Sequence, residues 1–173
     1  MKEKLGDGEW VSVDTEDDMV VNFYYPDIFS QKDTSVLTID VERTFWEKLT
    51  ILHKIANFPE GKPLPARYAR HLYDVYNMGN SWVKERAFDR KELLEKDVAF
   101  KQKFYYAKGA HYETATLGSI MILPGESIHK ALAEDYQAMR NMIYGAAPDF
   151  EDILAFLEKL QAEIHELSNS DIL

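Results

Sequence analysis

A chain of 173 residues, 46% apolar and 13% aromatic, can bury roughly 70% of its unfolded surface, so it is neither a disordered tail nor dependent on covalent staples. Zero cysteines exclude disulfides, thiolate zinc sites and cysteine nucleophiles together. Acidic side chains number 30 and basic ones 20, and the formal charge of −10 opposes wrapping along nucleic acid or adhering to an anionic membrane by charge. Lys2-Glu3-Lys4-Leu5-Gly6-Asp7 is followed by no apolar run, and no stretch approaches the length of a membrane span. The expectation is a soluble, cytoplasmic, acidic globular protein.

The first forty residues read as strands and turns. Val11–Val13 is short and β-branched, Met19–Tyr25 is a better strand stopped by Pro26-Asp27, and Val36–Ile39 is a third. The acidic run Asp14–Asp18 reads as a solvated turn. After Asp40, which can cap a helix, the apolar period changes from two to about 3.6. Helices are expected over residues 41–56, 66–78 and 82–88, from Asp89 toward Tyr106, over 127–143, and from Pro148-Asp149 onward. A loop with three prolines and a glycine, Phe58 to Pro65, separates the first two. Asp89 and Glu92 have capping-box spacing. The last helix carries Phe150, Ile153, Leu154, Leu157, Leu160 and Ile164 on one face. The fold class is α+β: short N-terminal strands over residues 1–40, then a mostly helical bundle over 41–173.

Charge follows these segments. Residues 1–40 hold 3 basic and 10 acidic side chains (−7), residues 41–108 hold 14 and 9 (+5), and residues 109–173 hold 3 and 11 (−8). A basic middle between acidic flanks suits a phosphate-bearing ligand on the central helices, and equally suits ion pairing between segments.

Three polar groups sit where the helical wheel expects apolar ones. In the first helix Phe45, Leu49, Leu52 and Ala56 form the core stripe, and Lys48 falls inside the apolar arc between Leu52 and Ile55. Such a lysine must snorkel outward or meet an anion. In the second, Tyr68, Leu72 and Val75 form the stripe, with Arg67, His71 and Asp74 on one ridge beside it, together with Met78. That ridge could be an intrahelical salt bridge, or could serve a nucleotide, Arg67 and Arg70 meeting phosphates and Asp74 accepting a proton or polar group. In the helix of residues 127–143, Asp135 lies among Ile128, Leu132, Met139 and Met142. It reads as a structural buried acid paired with an arginine or lysine of the basic middle.

Other chemistries find little support. The five histidines show no compact metal spacing, Gly118-Ser119 is not in a nucleophile elbow, and there is no phosphate loop. Lys101, Lys103, Tyr105, Tyr106 and Lys108 interleave base and aromatic, a pattern that suits either RNA contact or an ordinary helix face.

Glu42-Arg43-Thr44-Phe45-Trp46-Glu47-Lys48-Leu49 with Leu52-His53, then Arg67-Tyr68-Ala69-Arg70-His71-Leu72-Tyr73-Asp74, then Asp135-Tyr136-Gln137 through Tyr144-Gly145 to Pro148-Asp149-Phe150, follow one another in the chain. In this order they resemble the AbiEii/AbiGii-type nucleotidyltransferase toxins of toxin–antitoxin and abortive-infection systems, over most of residues 36–167. The resemblance implies a nucleotidyltransferase fold with a helical C-terminal part, Mg²⁺ and a nucleoside triphosphate as cofactors, a cognate antitoxin as partner, and an RNA (tRNA) or protein acceptor. It makes Lys48 the family's nucleotide-contacting lysine and Asp74 its essential aspartate, the two catalytic candidates. Lys48, Arg67, Arg70 and His71 are the nucleotide-binding candidates. Arg70 stands where members often carry lysine, and His71 where many carry an acidic residue.

The family's early Gly-Ser and Asp-x-Asp strand, whose carboxylates hold the metal, has no counterpart here. The expectation is therefore the C-terminal part of such a toxin, from a truncated reading frame or a cut piece, inactive alone and with no metal ligands of its own. The alternative is a non-catalytic helical module that engages an antitoxin, RNA or a partner subunit.

Overall fold

The structure is a computed structural model that describes residues 8–12, 35–59 and 61–168. The chain divides into two compact units, Met1–Asp40 and Val41–Leu173.

In the first unit the described residues form two strands, β1 (Gly8–Ser12) and β2 (Ser35–Ile39), paired antiparallel with Gly8 opposite Ile39, Trp10 opposite Leu37 and Ser12 opposite Ser35. β1 starts three residues before the expected strand. The strand expected over Met19–Tyr25 lies outside the described residues. Strand content is thus this one ladder, and the described chain is predominantly helical.

The second unit holds α1 (Val41–Ala56), α2 (Ala69–Gly79), α3 (Val83–Phe88), α4 (Glu92–Phe104), α5 (Glu126–Met139) and α6 (Phe150–Leu167), with 3₁₀ turns at Tyr112–Thr114 and Arg140–Met142. α1 is central because it is buried along two walls. One wall is Phe45, Leu49 and Leu52 of the expected stripe, continued by the fully buried Ile55 in place of Ala56, which is only half-buried. The other, Trp46, Thr50 and His53, is a second ridge that mixes polar with apolar groups. Trp46 is fully buried, stacks on Phe88 with centroids 6.3 Å apart, and donates its indole N–H to the Ala87 carbonyl at 3.0 Å. That bond fixes α3 to α1 and satisfies a donor that burial would otherwise orphan. All six apolar positions expected on the α6 face are buried.

α2 starts later than its apolar pattern suggests. Arg67 has a left-handed backbone (φ +66°), so helical dihedrals cannot extend through it, and the first helical residue is Ala69. The helix ends at Gly79, where a close approach rather than a turn demands glycine: a Cβ there would fall on the Phe156 ring of α6. Phe156 is in turn held edge-on by Tyr76, 5.2 Å away.

Residues 105–125 are largely irregular, yet Ile120 and Ile122 within them are fully buried, so their backbone groups need partners. Side chains of α1 and α6 supply them. His53 Nδ1 accepts from the Met121 N–H at 3.0 Å, and its Nε2 donates to the His111 carbonyl at 3.0 Å, which fixes the imidazole as the neutral Nε2–H tautomer. Burial also holds the His53 pKa below its ordinary value. Gln161 Oε1 accepts from the Ile122 and Leu123 N–H groups at 2.7 and 3.2 Å, and His165 Nε2 donates to the Ile120 carbonyl at 2.8 Å.

Candidate functional site

The site is assembled where α1 crosses α2. Lys48, inside the apolar arc of α1, does not run out to solvent: its ammonium donates to Asp74 Oδ2 at 2.7 Å, across 26 residues of sequence. The same Nζ lies 3.4 Å from His71 Nδ1, one turn earlier on α2. A protonated lysine can only donate, so Nδ1 accepts and His71 is the neutral Nε2–H tautomer. His71 is 7% exposed. Burial first, then the Lys48 ammonium and the Arg70 guanidinium, push its pKa down to about 4, against the opposing pull of Asp74. At neutral pH the cluster is therefore an ammonium between a carboxylate and a neutral imidazole. Lys48 and Asp74 side chains keep 23% and 37% of their surface exposed, so the pair faces solvent at its outer edge.

Two of the expected site residues stand apart from this cluster. Arg67 precedes the helix and therefore does not continue the ridge of His71 and Asp74. It makes no ion pair with Asp74, whose carboxylate is on Lys48. Arg67 and Arg70 are both exposed, and among the described residues no carboxylate pairs with either guanidinium. Both face solvent, and the Arg70 charge acts on His71.

Asp135 is corrected in both burial and partner. It is half-buried, and its partner is neither an arginine nor a lysine side chain: its carboxylate accepts the Arg67 N–H at 2.7 Å and the Ala69 N–H at 2.8 Å. Tyr68 at the N-cap position of α2 supplies no side-chain acceptor, so Asp135 caps α2 from α5, with its negative charge at the positive end of the helix dipole. The partner is not legible in the sequence, because backbone N–H groups exposed by a helix start carry no sequence signature. Asp135→Ala is expected to cost about 2 kcal/mol in a urea melt and Asp135→Asn less, since the amide oxygen keeps one acceptor.

A second polar cluster beside the site escaped the sequence. Lys101 of α4 points inward, 6% exposed, and donates to Thr50 Oγ1 at 2.5 Å and to the Glu47 carbonyl at 3.0 Å, with Asp97 Oδ2 at 3.4 Å. Thr50 has one proton to give, and the Asp97 carboxylate at 2.6 Å is its nearest acceptor. The signal was present as the i, i+4 spacing of Asp97 and Lys101, together with a threonine on an otherwise apolar ridge. Glu42, 2% exposed, also went unnoticed; the Arg86 guanidinium closes over it at 2.5 Å, as a charge contact without hydrogen-bond alignment at that oxygen.

The described residues do not offer a divalent-metal site. No three of their histidine, aspartate or glutamate side chains converge, and the one carboxylate of the candidate site is already on an ammonium. Gly118-Ser119 lies in a turn closed on itself, where Ser119 Oγ donates to the Thr114 carbonyl at 2.7 Å, so it is not a phosphate-binding Gly-Ser.

The cluster thus joins a lysine and an aspartate from successive helices, with a buried neutral histidine beside them. The family described as nucleotidyl transferase AbiEii toxin, of Type IV toxin–antitoxin systems, matches residues 10–159, and the chain belongs to that family. Neither a curated protein nor a solved structure matches it. Among the described residues no helix is long and apolar enough to cross a membrane.

Proposed function

We propose that this chain supplies the nucleotide grip of an AbiEii nucleotidyltransferase toxin, with Lys48 as the phosphate contact and Asp74 as the carboxylate that holds it ready. The observation that carries this reading is the Lys48–Asp74 pair itself. Two residues 26 apart meet at 2.7 Å where two helices cross, beside the buried His71 and partly open to solvent. A triphosphate that approaches the pair meets Lys48, Arg67 and Arg70. His71, neutral in this setting, donates through Nε2–H without adding a charge that competes with Asp74.

The family is a nucleotidyltransferase family, for which a nucleoside triphosphate with Mg²⁺ and an antitoxin partner are the typical companions. In the present reading the acceptor is an RNA such as tRNA, or a protein hydroxyl, and the metal-holding carboxylates belong to residues other than those described. β1 and β2 are then the tail of the nucleotidyltransferase sheet. Incubated with labelled triphosphates, Mg²⁺ and tRNA, these 173 residues alone are expected to leave both RNA and protein unlabelled; robust transfer overturns that expectation.

A non-catalytic module is the second reading, favoured by the saturation of the one site carboxylate by Lys48. It predicts no nucleotide binding at all, and binding to the antitoxin or another partner through the helices.

A further inference from the structure

α4 buries Leu93, Leu94, Asp97 and Lys101. At its C-terminal end, next to that buried stripe, and in the two residues just beyond the helix stand exposed aromatic rings. Phe100, Phe104, Tyr105 and Tyr106 are 40, 60, 64 and 76% exposed. The Phe100 ring lies 5.0 Å from Phe104 and 5.7 Å from Tyr105, centroid to centroid, so three rings form one continuous surface. The rings shield one another only in part, and an exposed apolar patch of this kind marks a contact surface.

The chemistry around the rings identifies the contact. Lysine is depleted at protein interface cores, so charge rather than ring content separates this patch from one. Cations are set among the rings: the Arg43 guanidinium is 6.0 Å from the Phe100 centroid, and the Lys103 ammonium 5.2 Å from that of Phe104. From Val98 to Tyr112 the sequence has three lysines and no acidic residue, in a protein whose net charge is −10. Of these lysines only Lys101 is buried; Lys103 and Lys108 are exposed. The strip runs into a cleft of about 300 Å³ lined by Gln102, Tyr106, Lys108, His111 and Glu113, of which Lys108 and Tyr106 continue the same alternation of charge and ring. A second copy of this chain is a poor occupant, since a two-fold contact through the patch would bring two surfaces of the same positive charge face to face.

We infer that this strip is a stacking platform for an unpaired nucleic-acid strand, the bases lying on Phe100, Phe104 and Tyr105 and the phosphates meeting Lys103 and Lys108. Sequence-tolerant stacking with interleaved cations is how single strands are held, and duplex, with its bases hidden, has nothing to place on the rings. The site is separate from the Lys48–Asp74 cluster and stands whether or not that cluster grips a nucleotide.

Fluorescence anisotropy of a fluorescein-labelled 12-nucleotide oligouridine, with the whole chain titrated at low salt, tests it; oligothymidine and a duplex of the same length are the comparators. Saturable binding of both single strands is expected, with the duplex at least about fivefold weaker. Phe104→Ala/Tyr105→Ala weakens oligouridine at least about tenfold, while Phe104→Tyr/Tyr105→Phe stays within about threefold of the unsubstituted chain. Lys103→Ala/Lys108→Ala, on two exposed side chains whose loss leaves the fold intact, weakens binding and lowers its salt dependence. No single-strand binding, equal binding of duplex, or indifference to the alanine pair overturns the inference. So does self-association in sedimentation that the alanine pair abolishes, which would assign the patch to a second copy.

Discussion

Lys101→Met is expected to lower stability by about 3–5 kcal/mol, the largest single loss at any polar position of the helical unit. The reason is what remains. Asp97 is 3% exposed, and without the ammonium its charge is left in an apolar setting with the Thr50 hydroxyl as its hydrogen-bond donor. The pair itself need not be stabilising: burial, chiefly, holds the Lys101 pKa below its ordinary value, with Asp97 and Glu47 acting to restore it. Asp97→Leu/Lys101→Met should therefore recover to within about 1 kcal/mol of the unsubstituted chain, because Thr50 can turn its proton to the Glu47 carbonyl at 2.8 Å. Chemical denaturation of the single and double variants gives both values. A single variant no less stable than the parent would show that Asp97 has access to water.

His71 provides the second large effect, read in pH. Its ordinary pKa of 6.5 in the unfolded chain falls to about 4 on folding, so between these values the unfolded state binds the proton and the folded state does not. The stability that His71 contributes is present above pH 6.5 and is lost as pH falls toward 4; the fall from 6.5 to about 4 corresponds to roughly 3 kcal/mol. His53, whose pKa is also lowered by burial, acts in the same direction. Melts of the parent and of His71→Gln between pH 7 and pH 4 should show the parent losing stability more steeply, by that amount over the interval. Parallel curves would mean that His71 takes its proton in the folded protein and is no neutral partner of Lys48.

The helices were legible in the sequence because their apolar faces are long and regular. α6 shows this most cleanly: Phe150, Ile153, Leu154, Leu157, Leu160 and Ile164 follow the helical period, and all are buried. The anomaly at Lys48 was legible for the same reason, as a charge that interrupts a regular stripe. What periodicity could not supply is the identity of a partner. Lys48 had two resolutions open to it and takes the anion, but that this anion is Asp74 is set by the crossing of α1 and α2. The start of α2 shows a second limit. Alanine, arginine and tyrosine at 66–68 all favour or tolerate a helix, yet the left-handed turn at Arg67 and the distant carboxylate of Asp135 place the start at Ala69. A tertiary cap overrides local propensity there, and no window of sequence contains it. Lys101 makes the converse point: within a basic, aromatic run it read as a surface cation, while the geometry of α4 turns it inward to Thr50 and leaves its neighbours Phe100 and Phe104 outside.

The grip attributed to Lys48 is tested most directly by equilibrium dialysis of labelled ATP, GTP, CTP and UTP, each in turn, against the whole chain and against Lys48→Ala. At least one triphosphate should be retained by the parent. Loss of a charge-assisted phosphate contact worth about 1.5–3 kcal/mol should weaken that binding in the variant at least about tenfold. Asp74, already 37% exposed, is left to water, so the variant remains folded. Retention of no triphosphate by the parent, or equal retention by parent and variant, would contradict the assignment of Lys48 as the nucleotide contact.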